Sequence, residues 1–376
     1  MHIGIDASRA TVAKPTGTEH YAWRIINELL RRSNADRFSL YLRDDPPAGC
    51  FVAGPQVEQV VIPFPRLWTH LRLSVEMLVR APDVLFVPAH VLPLIHPRRS
   101  VVTVMDLGYR YYPETHPWRD RLYLDWSTRW NARKAHAIIT ISAATRNDLI
   151  GHYGTDPEKI TVVHPGIDET IRREEDPARI RQVAARYDLP GHYLLYIGTL
   201  HPRKNLVRLV RAYGHMLSAW LPTFGNPPGL VLAGKKGWLY DEIFAEIRSL
   251  GLESRVTFTG YVPQEDLIPL LSGADLFVFP SLFEGFGFPI LEAMACCVPV
   301  ITSNVSSLPE VAGDAALLVD PHDESGLARA ITQALTDDAL RTNLTVRGLE
   351  RVASFTWTRC GSETMAVLQR AGGDQN

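Results

Sequence analysis

The chain is built on one repeated alternation: a short apolar run, a turn, and a segment long enough for a helix. In the first half the apolar runs fall at 3–7, 38–42, 57–62, 84–87, 101–105, 137–141 and 160–163, with helix-length segments at 21–32, 67–80 and 118–135. Runs that are apolar throughout suit strands buried on both faces, as in a parallel sheet covered by helices. The pattern stops at 168–190, where Arg and Glu runs with Pro177 and Pro190 replace the apolar strand, and it restarts at 193–198, 229–233, 255–259, 275–279, 298–302 and 316–319. The expectation is two doubly wound parallel α/β domains, 1–168 and 190–357, joined by a polar linker and facing each other across a cleft. A length of 376 residues suits two domains of ordinary size. In such sheets ligands gather beside the carboxyl ends of the strands.

A net charge of −2 gives no basic excess for wrapping a nucleic acid, and 46% hydrophobic residues supply enough apolar side chain for two cores. Cys50, Cys296, Cys297 and Cys360 have no metal-ligand spacing, the neighbouring pair Cys296-Cys297 in its apolar segment reads as buried small hydrophobes, and a reducing, cytoplasmic compartment is the simpler expectation. The start, MHIGIDASRA, has no positive leader, and the most apolar stretch, 275–302, is interrupted by Glu284, Glu292 and several prolines. Neither export nor membrane spanning is expected.

Two loops carry the chemistry. After the apolar run 276–279 comes Pro280-Ser-Leu-Phe-Glu284-Gly-Phe-Gly-Phe-Pro289-Ile-Leu-Glu292, read as strand, loop and helix. Pro289 fits a first helical turn, and Gly285 and Gly287 let the backbone approach a ligand. The amides around Gly285, Phe286, Gly287 and Phe288, at the positive end of the helix dipole, suit a phosphate. Glu292, within the helix, can accept both hydroxyls of a ribose, and Glu284 can address sugar hydroxyls. Singly, each of these residues reads equally well as a cap or a turn former, but their joint spacing around one Gly-x-Gly turn points to a ligand. The second loop, Gly198-Thr-Leu-His201-Pro-Arg203-Lys204-Asn205, follows the first strand of the same domain. Arg203, as a fork, and Lys204, as a point charge, suit neutralising a diphosphate without a metal, although alone an Arg-Lys pair in a loop reads as solvated surface. No Asp-x-Asp pair occurs to hold Mg²⁺ or Mn²⁺ on such a group.

These segments resemble the retaining glycosyltransferases of family 4, the group 1 enzymes with the two-Rossmann GT-B fold. The likeness rests on Glu284-x7-Glu292, on Gly198 to Asn205, and on Ser303-Asn-Val-Ser-Ser-Leu-Pro309-Glu310-Val-Ala-Gly313. Looser similarity runs through Thr16-Gly17, Val101–Pro113, the segment from Ile141, Val162–Asp168 and Gly260–Leu267. The resemblance implies that Arg203 and Lys204 bind the donor diphosphate, that Glu292 holds the ribose and that Glu284 touches the sugar. It further implies that Tyr261 and Val262 lie against the nucleobase, that the amides near Gly287 and Phe288 meet the phosphates, and that Gly17 approaches the donor from the first domain. The last helix, about 358–371 within a crossover segment 358–376, is expected to return to the first domain. Many relatives carry a His-Asp pair after the strand at 101–105, the His touching the sugar, where this sequence has Met105-Asp106. Methionine offers no useful hydrogen bond, so that contact is lost or falls to His90 or Asp106.

The resemblance implies transfer of a hexosyl group from a nucleotide-diphosphate sugar with retained configuration, no metal and no enzymic nucleophile. Likeness of the Thr199–Asn205 loop points to GDP-mannose. The acceptor, a saccharide or lipid-linked saccharide, is expected on the first domain. There Phe64–Arg72 and Trp118–Lys134 carry basic and aromatic residues that suit either an ordinary buried face or weak binding to an anionic membrane surface. The competing readings are a sugar-nucleotide hydrolase or 2-epimerase, and a non-catalytic sugar-nucleotide-binding subunit.

Overall fold

A computed structural model describes residues 1–12, 17–32, 35–89, 91–237 and 240–373. The chain forms two compact units. The first comprises Met1–Gly166 with the segment from Phe355 on, and the second is Ile167–Ser354.

In the first unit the strands β1 (His2–Asp6), β2 (Arg37–Leu42), β3 (Val57–Val61), β4 (Val84–Val87), β5 (Ser100–Val104), β6 (Ala137–Thr140) and β7 (Ile160–Val162) form one parallel sheet in the order β3-β2-β1-β4-β5-β6-β7. In the second, β8 (Tyr193–Ile197), β9 (Gly229–Ala233), β10 (Val256–Gly260), β11 (Leu276–Phe279), β12 (Val300–Ser303) and β13 (Leu317–Val319) follow the order β10-β9-β8-β11-β12-β13. Each strand lies within two residues of the run that predicts it. The physical reason is their burial: Leu85, Phe86, Val101, Leu194, Leu195, Phe277 and Val278 are all 0% exposed, so no polar face dilutes the signal. Each such side chain contributes roughly 1.5–3 kcal/mol on burial. In both sheets the chain first builds outward in one direction and then in the other, so a switch point lies between β1 and β4 and between β8 and β11.

The segment 168–190 departs from the expected linker. It belongs to the second unit and carries a helix, Pro177–Arg186, with Val183 buried. Its arginines are anchors: Arg179 and Arg186 donate to the fully buried Asp266 carboxylate at 3.2 and 2.6 Å, joined by the Tyr187 hydroxyl at 2.9 Å. The first unit ends at Gly166, beside the expected 168, and the charged stretch is part of the second unit.

The closing helix, Trp357–Gly373, packs on the first unit, where Arg32 donates to the Ser362 hydroxyl and the Thr358 carbonyl at 2.6 and 2.5 Å. Where the chain leaves and re-enters this unit the backbones touch. A Cβ added to Gly166 would lie 2.0 Å from the Trp357 nitrogen, so only glycine fits.

Candidate active site

The site is assembled at the switch point of the second sheet. Strands β8 and β11 are hydrogen-bonded neighbours there, so the loops that follow them, 198–205 and 280–288, emerge side by side. The two loops are tied together: Leu282 N–H donates to the Arg203 carbonyl at 2.8 Å, and the Asn205 side chain donates to the carbonyls of Pro280 and Pro321 at 3.1 and 2.7 Å. Asn205 is buried and left-handed, with φ 62°, which starts the helix Leu206–Phe224 and turns Arg203 and Lys204 out of it. His201 Nδ1 accepts from the Arg203 amide at 3.2 Å and fixes this turn.

Lys204 reaches Glu284 across 80 positions of sequence, forming an ion pair and hydrogen bond between two largely buried side chains. The ammonium also stands 5.1 Å from the Phe279 ring centroid. Burial works to raise the Glu284 carboxyl, but the charges of Lys204 and Arg203 and the Lys204 hydrogen bond outweigh it and hold the group below the usual glutamate range. The Arg203 guanidinium, half-buried, forms no hydrogen bond or ion pair among the described residues, which leaves its fork open.

The Glu284 loop is held from a third strand end. The Glu284 N–H donates to the Ser306 hydroxyl at 3.0 Å, and the buried Ser307 hydroxyl donates to the carbonyls of Glu284 and Phe286 at 2.9 and 2.7 Å. Gly287, with φ 120°, precedes the helix Phe288–Ala295, in whose first turn Pro289 sits. The N–H groups of Gly287 and Phe288 have no acceptor among the described residues and mark the positive end of that helix. Glu292 lies one turn on, half-buried with no partner for its carboxylate, and burial pushes it up to about 7. Two glutamates on one loop-helix element are thus driven in opposite directions, one held ionised by its neighbours and one raised by burial.

The rim is formed by the ends of β9 and β10. Tyr261 is 62% exposed, with the Lys235 ammonium 4.3 Å from its ring centroid, and Val262 beside it is half-buried. Gly198 and Gly234 allow the β8 and β9 ends to close on each other: a Cβ at Gly234 would stand 1.9 Å from the Gly198 carbonyl oxygen. The second unit therefore brings together Gly198, Arg203, Lys204, Tyr261, Val262, Glu284, Gly285, Phe286, Gly287, Phe288 and Glu292 around one sheet end. Sequence reasoning gave Ser306 and Ser307 no role and separated Lys204 from Glu284. Only their place in the Ser303–Gly313 motif marked the serines.

The remaining candidates belong to the first unit. Asp106 follows β5 and its Oδ1 accepts from the Gly108 N–H at 2.7 Å, so this oxygen shapes the loop. Gly17 opens the helix Gly17–Arg32, with open space where a Cβ would go. His90 lies outside the described residues. A cavity of ≈ 660 Å³ in the first unit is lined by Arg9, Arg43, Trp68, His70 and Tyr123, among others. His70 is buried, with Nε2 2.9 Å from the Tyr123 hydroxyl.

Residues 179–351 match the family model for glycosyl transferases group 1, and residues 15–170 match that for glycosyltransferase family 4. The O-antigen chain mannosyltransferase B of Escherichia coli is 39% identical over 270 residues, 71% of this chain and 69% of that protein. The serotype-specific mannosyltransferase WbdA of Escherichia coli is 35% identical over 227 residues, 60% of this chain, and the chain spans only 27% of its length. Anabaena HepE, solved in complex with UDP and glucose, superposes with a TM-score of 0.72 at 20% identity, covering 98% of this chain and 99% of that one. The strand orders, the Lys204–Glu284 corner and both family matches have one conclusion: the chain belongs to the group 1 glycosyltransferases of family 4, with the two Rossmann-like units of the GT-B fold.

Proposed function

We propose that this glycosyltransferase moves a mannosyl group from GDP-mannose to a hydroxyl of a free or lipid-linked saccharide, with retained anomeric configuration and without a metal. The observation that carries the reading is the open Arg203 fork beside the Lys204–Glu284 pair, with Glu284 on the same loop as the amides of Gly287 and Phe288, which have no acceptor among the described residues. A diphosphate leaving group needs such a set of fixed positive groups, aimed where charge develops as the bond to the sugar breaks. Glu292, with no protein partner, is suited to accept from a ribose diol, and Tyr261 with Val262 to flank the base. Glu284 then contacts the sugar while Lys204 keeps it ionised. The choice of mannose draws on the likeness to O-antigen chain mannosyltransferase B.

In the reaction the bond from the anomeric carbon to the β-phosphate oxygen breaks, and the acceptor oxygen bonds to the same carbon from the same face. The acceptor proton passes to the departing phosphate oxygen, giving GDP and the glycoside. No protein nucleophile takes part, so the side chains orient and stabilise. The first-unit cavity with Arg9, Arg43 and Trp68 is our candidate acceptor site. Unpaired thiols at Cys50, Cys296, Cys297 and Cys360 fit a cytoplasmic enzyme.

A thermal-shift panel of GDP-mannose, UDP-glucose, dTDP-glucose and ADP-glucose tests the donor. At 100 Kd the true one stabilises the second unit by about 2.7 kcal/mol. NMR of the product anomer and turnover in EDTA test retention and metal independence. Stabilisation by another nucleotide sugar alone, an inverted product, or loss of turnover in EDTA each overturns the corresponding part.

A further inference from the structure

Ser306 combines two features that its own turn does not require. Its φ is 52°, in the left-handed region that serine seldom enters and that glycine occupies freely. Its hydroxyl accepts from the Glu284 N–H at 3.0 Å, from 22 positions away in the sequence. A glycine could make the same turn, which the Leu308 N–H closes on the Val305 carbonyl at 3.2 Å, but it would offer the Glu284 amide no acceptor. Backbone strain held at one residue points to an interaction that only its side chain supplies.

The grip on Glu284 is two-sided. Ser307, fully buried, donates to the Glu284 carbonyl at 2.9 Å and to the Phe286 carbonyl at 2.7 Å. The peptide groups before and after the Glu284 Cα are therefore both held, while Lys204 holds the carboxylate at the far end of the side chain. The serines stand on anchored backbone. The Asn304 N–H donates to the Val319 carbonyl at 2.8 Å. Beyond them, Arg351 donates to the Glu310 and Val311 carbonyls of the helix Leu308–Ala312, the latter at 2.9 Å. A carboxylate that must meet one hydroxyl of a sugar acts only as well as its own backbone is fixed.

We propose that Ser306 is a positioning residue for the transfer. Through its hydroxyl it holds the Glu284 backbone at the place from which the carboxylate meets the donor sugar, and the left-handed turn is the cost of aiming that hydroxyl. The proposal rests on the reading of Glu284 as the sugar contact.

The experiment compares Ser306→Gly, Ser306→Ala, Glu284→Gln and the double variant Ser306→Gly with Glu284→Gln, each at a temperature where it is folded. Turnover is read as release of nucleoside diphosphate from whichever of GDP-mannose, UDP-glucose, dTDP-glucose and ADP-glucose the parent consumes, beside a melting curve. Ser306→Ala keeps the left-handed strain and loses the hydrogen bond, so it should melt below the parent. Ser306→Gly loses both, and the two effects are of similar size and opposite sign, so it should melt close to the parent. Both should lose about 10²-fold in turnover at saturating donor, with KM changed less. Activity and stability then part in the glycine variant, which a merely structural serine would not allow. The double variant should lose no more than Glu284→Gln alone. Full turnover in Ser306→Gly overturns the proposal, as does a loss matched by a fall in melting temperature, or losses that multiply in the double variant. Unchanged turnover in Glu284→Gln instead overturns the sugar-contact reading beneath it.

Discussion

The Lys204 ammonium bonds the Glu284 carboxylate directly, although the two residues come from loops after different strands. That contact joins the β8 and β11 ends into one corner and ties the charge state of Glu284 to that of Lys204. Removing one partner leaves the other charge buried and alone, which typically costs 3–5 kcal/mol, or about 3 kcal/mol at this partly open edge. Lys204→Met and Glu284→Gln should each lose that stability in urea unfolding, and the double variant should recover part of it. Losses that simply add in the double variant would show that the pair is not coupled.

Arg203 should behave differently. Its guanidinium forms no hydrogen bond or ion pair among the described residues and only adds its charge to that of Lys204 near Glu284, so Arg203→Ala is expected to lower stability by no more than about 1 kcal/mol, well short of Lys204→Met. Transfer should fall by roughly 10²–10³ as the developing charge on the leaving group loses its donor. Steady-state turnover beside a melting curve checks both halves.

Glu292 sets a pH dependence. Its folded carboxyl is pushed up to about 7, above an unfolded value of about 4.3. Between those values the folded chain holds a proton that the unfolded chain has released, so stability falls as pH rises through the window and levels off above it. Glu292→Gln should remove this slope in denaturation curves taken from about pH 5 to about pH 8. Glu284 has the opposite sign: its folded carboxyl is lowered, so its contribution is present above the unfolded value and lost as pH falls through the folded one. A ribose diol bound to Glu292 favours the ionised form. Donor binding below about pH 7 should then release a proton, measurable by calorimetry in buffers of different ionisation enthalpy.

Asp266 holds the 177–186 helix to the second unit through Arg179, Arg186 and Tyr187. Asp266→Ala leaves two arginines without their acceptor and should cost about 3 kcal/mol. Proteolysis should then cut first within 168–190, and an unchanged cleavage pattern would show that the helix is held by packing alone.

Gly234→Ala should be the most damaging small change. Its φ is 147° and its Cβ would lie 1.9 Å from a backbone oxygen, so the β8 and β9 ends must separate. Gly191→Ala, with nothing within 4 Å, is the matched control and should melt like the parent. Expression and melting temperature of the two variants side by side decide this.

Nearly all the strand positions were legible because buried parallel strands leave continuous apolar runs, as in Leu194–Tyr196 and Phe277–Phe279. The helix at 177–186 was hidden because the acceptor of its arginines, Asp266, lies 80 or more positions away, so locally they read as solvated charge. The site residues of the second unit were legible as types and spacings. Their relations were not: the Lys204–Glu284 bond and the Ser306 and Ser307 contacts depend on which strand ends adjoin. The helical turn at Trp68 follows Leu67, which takes φ 53° with neither the glycine nor the asparagine that usually announces such a bend.

The touching backbones at Gly166 and Trp357 make the second unit an insertion at one point of the first. Residues 167–354 leave and return through a single gate, and excising them leaves two ends that a short peptide can rejoin. The chain is thus laid out for cassette exchange. A relative's second unit spliced between these positions would have only these two junctions to match.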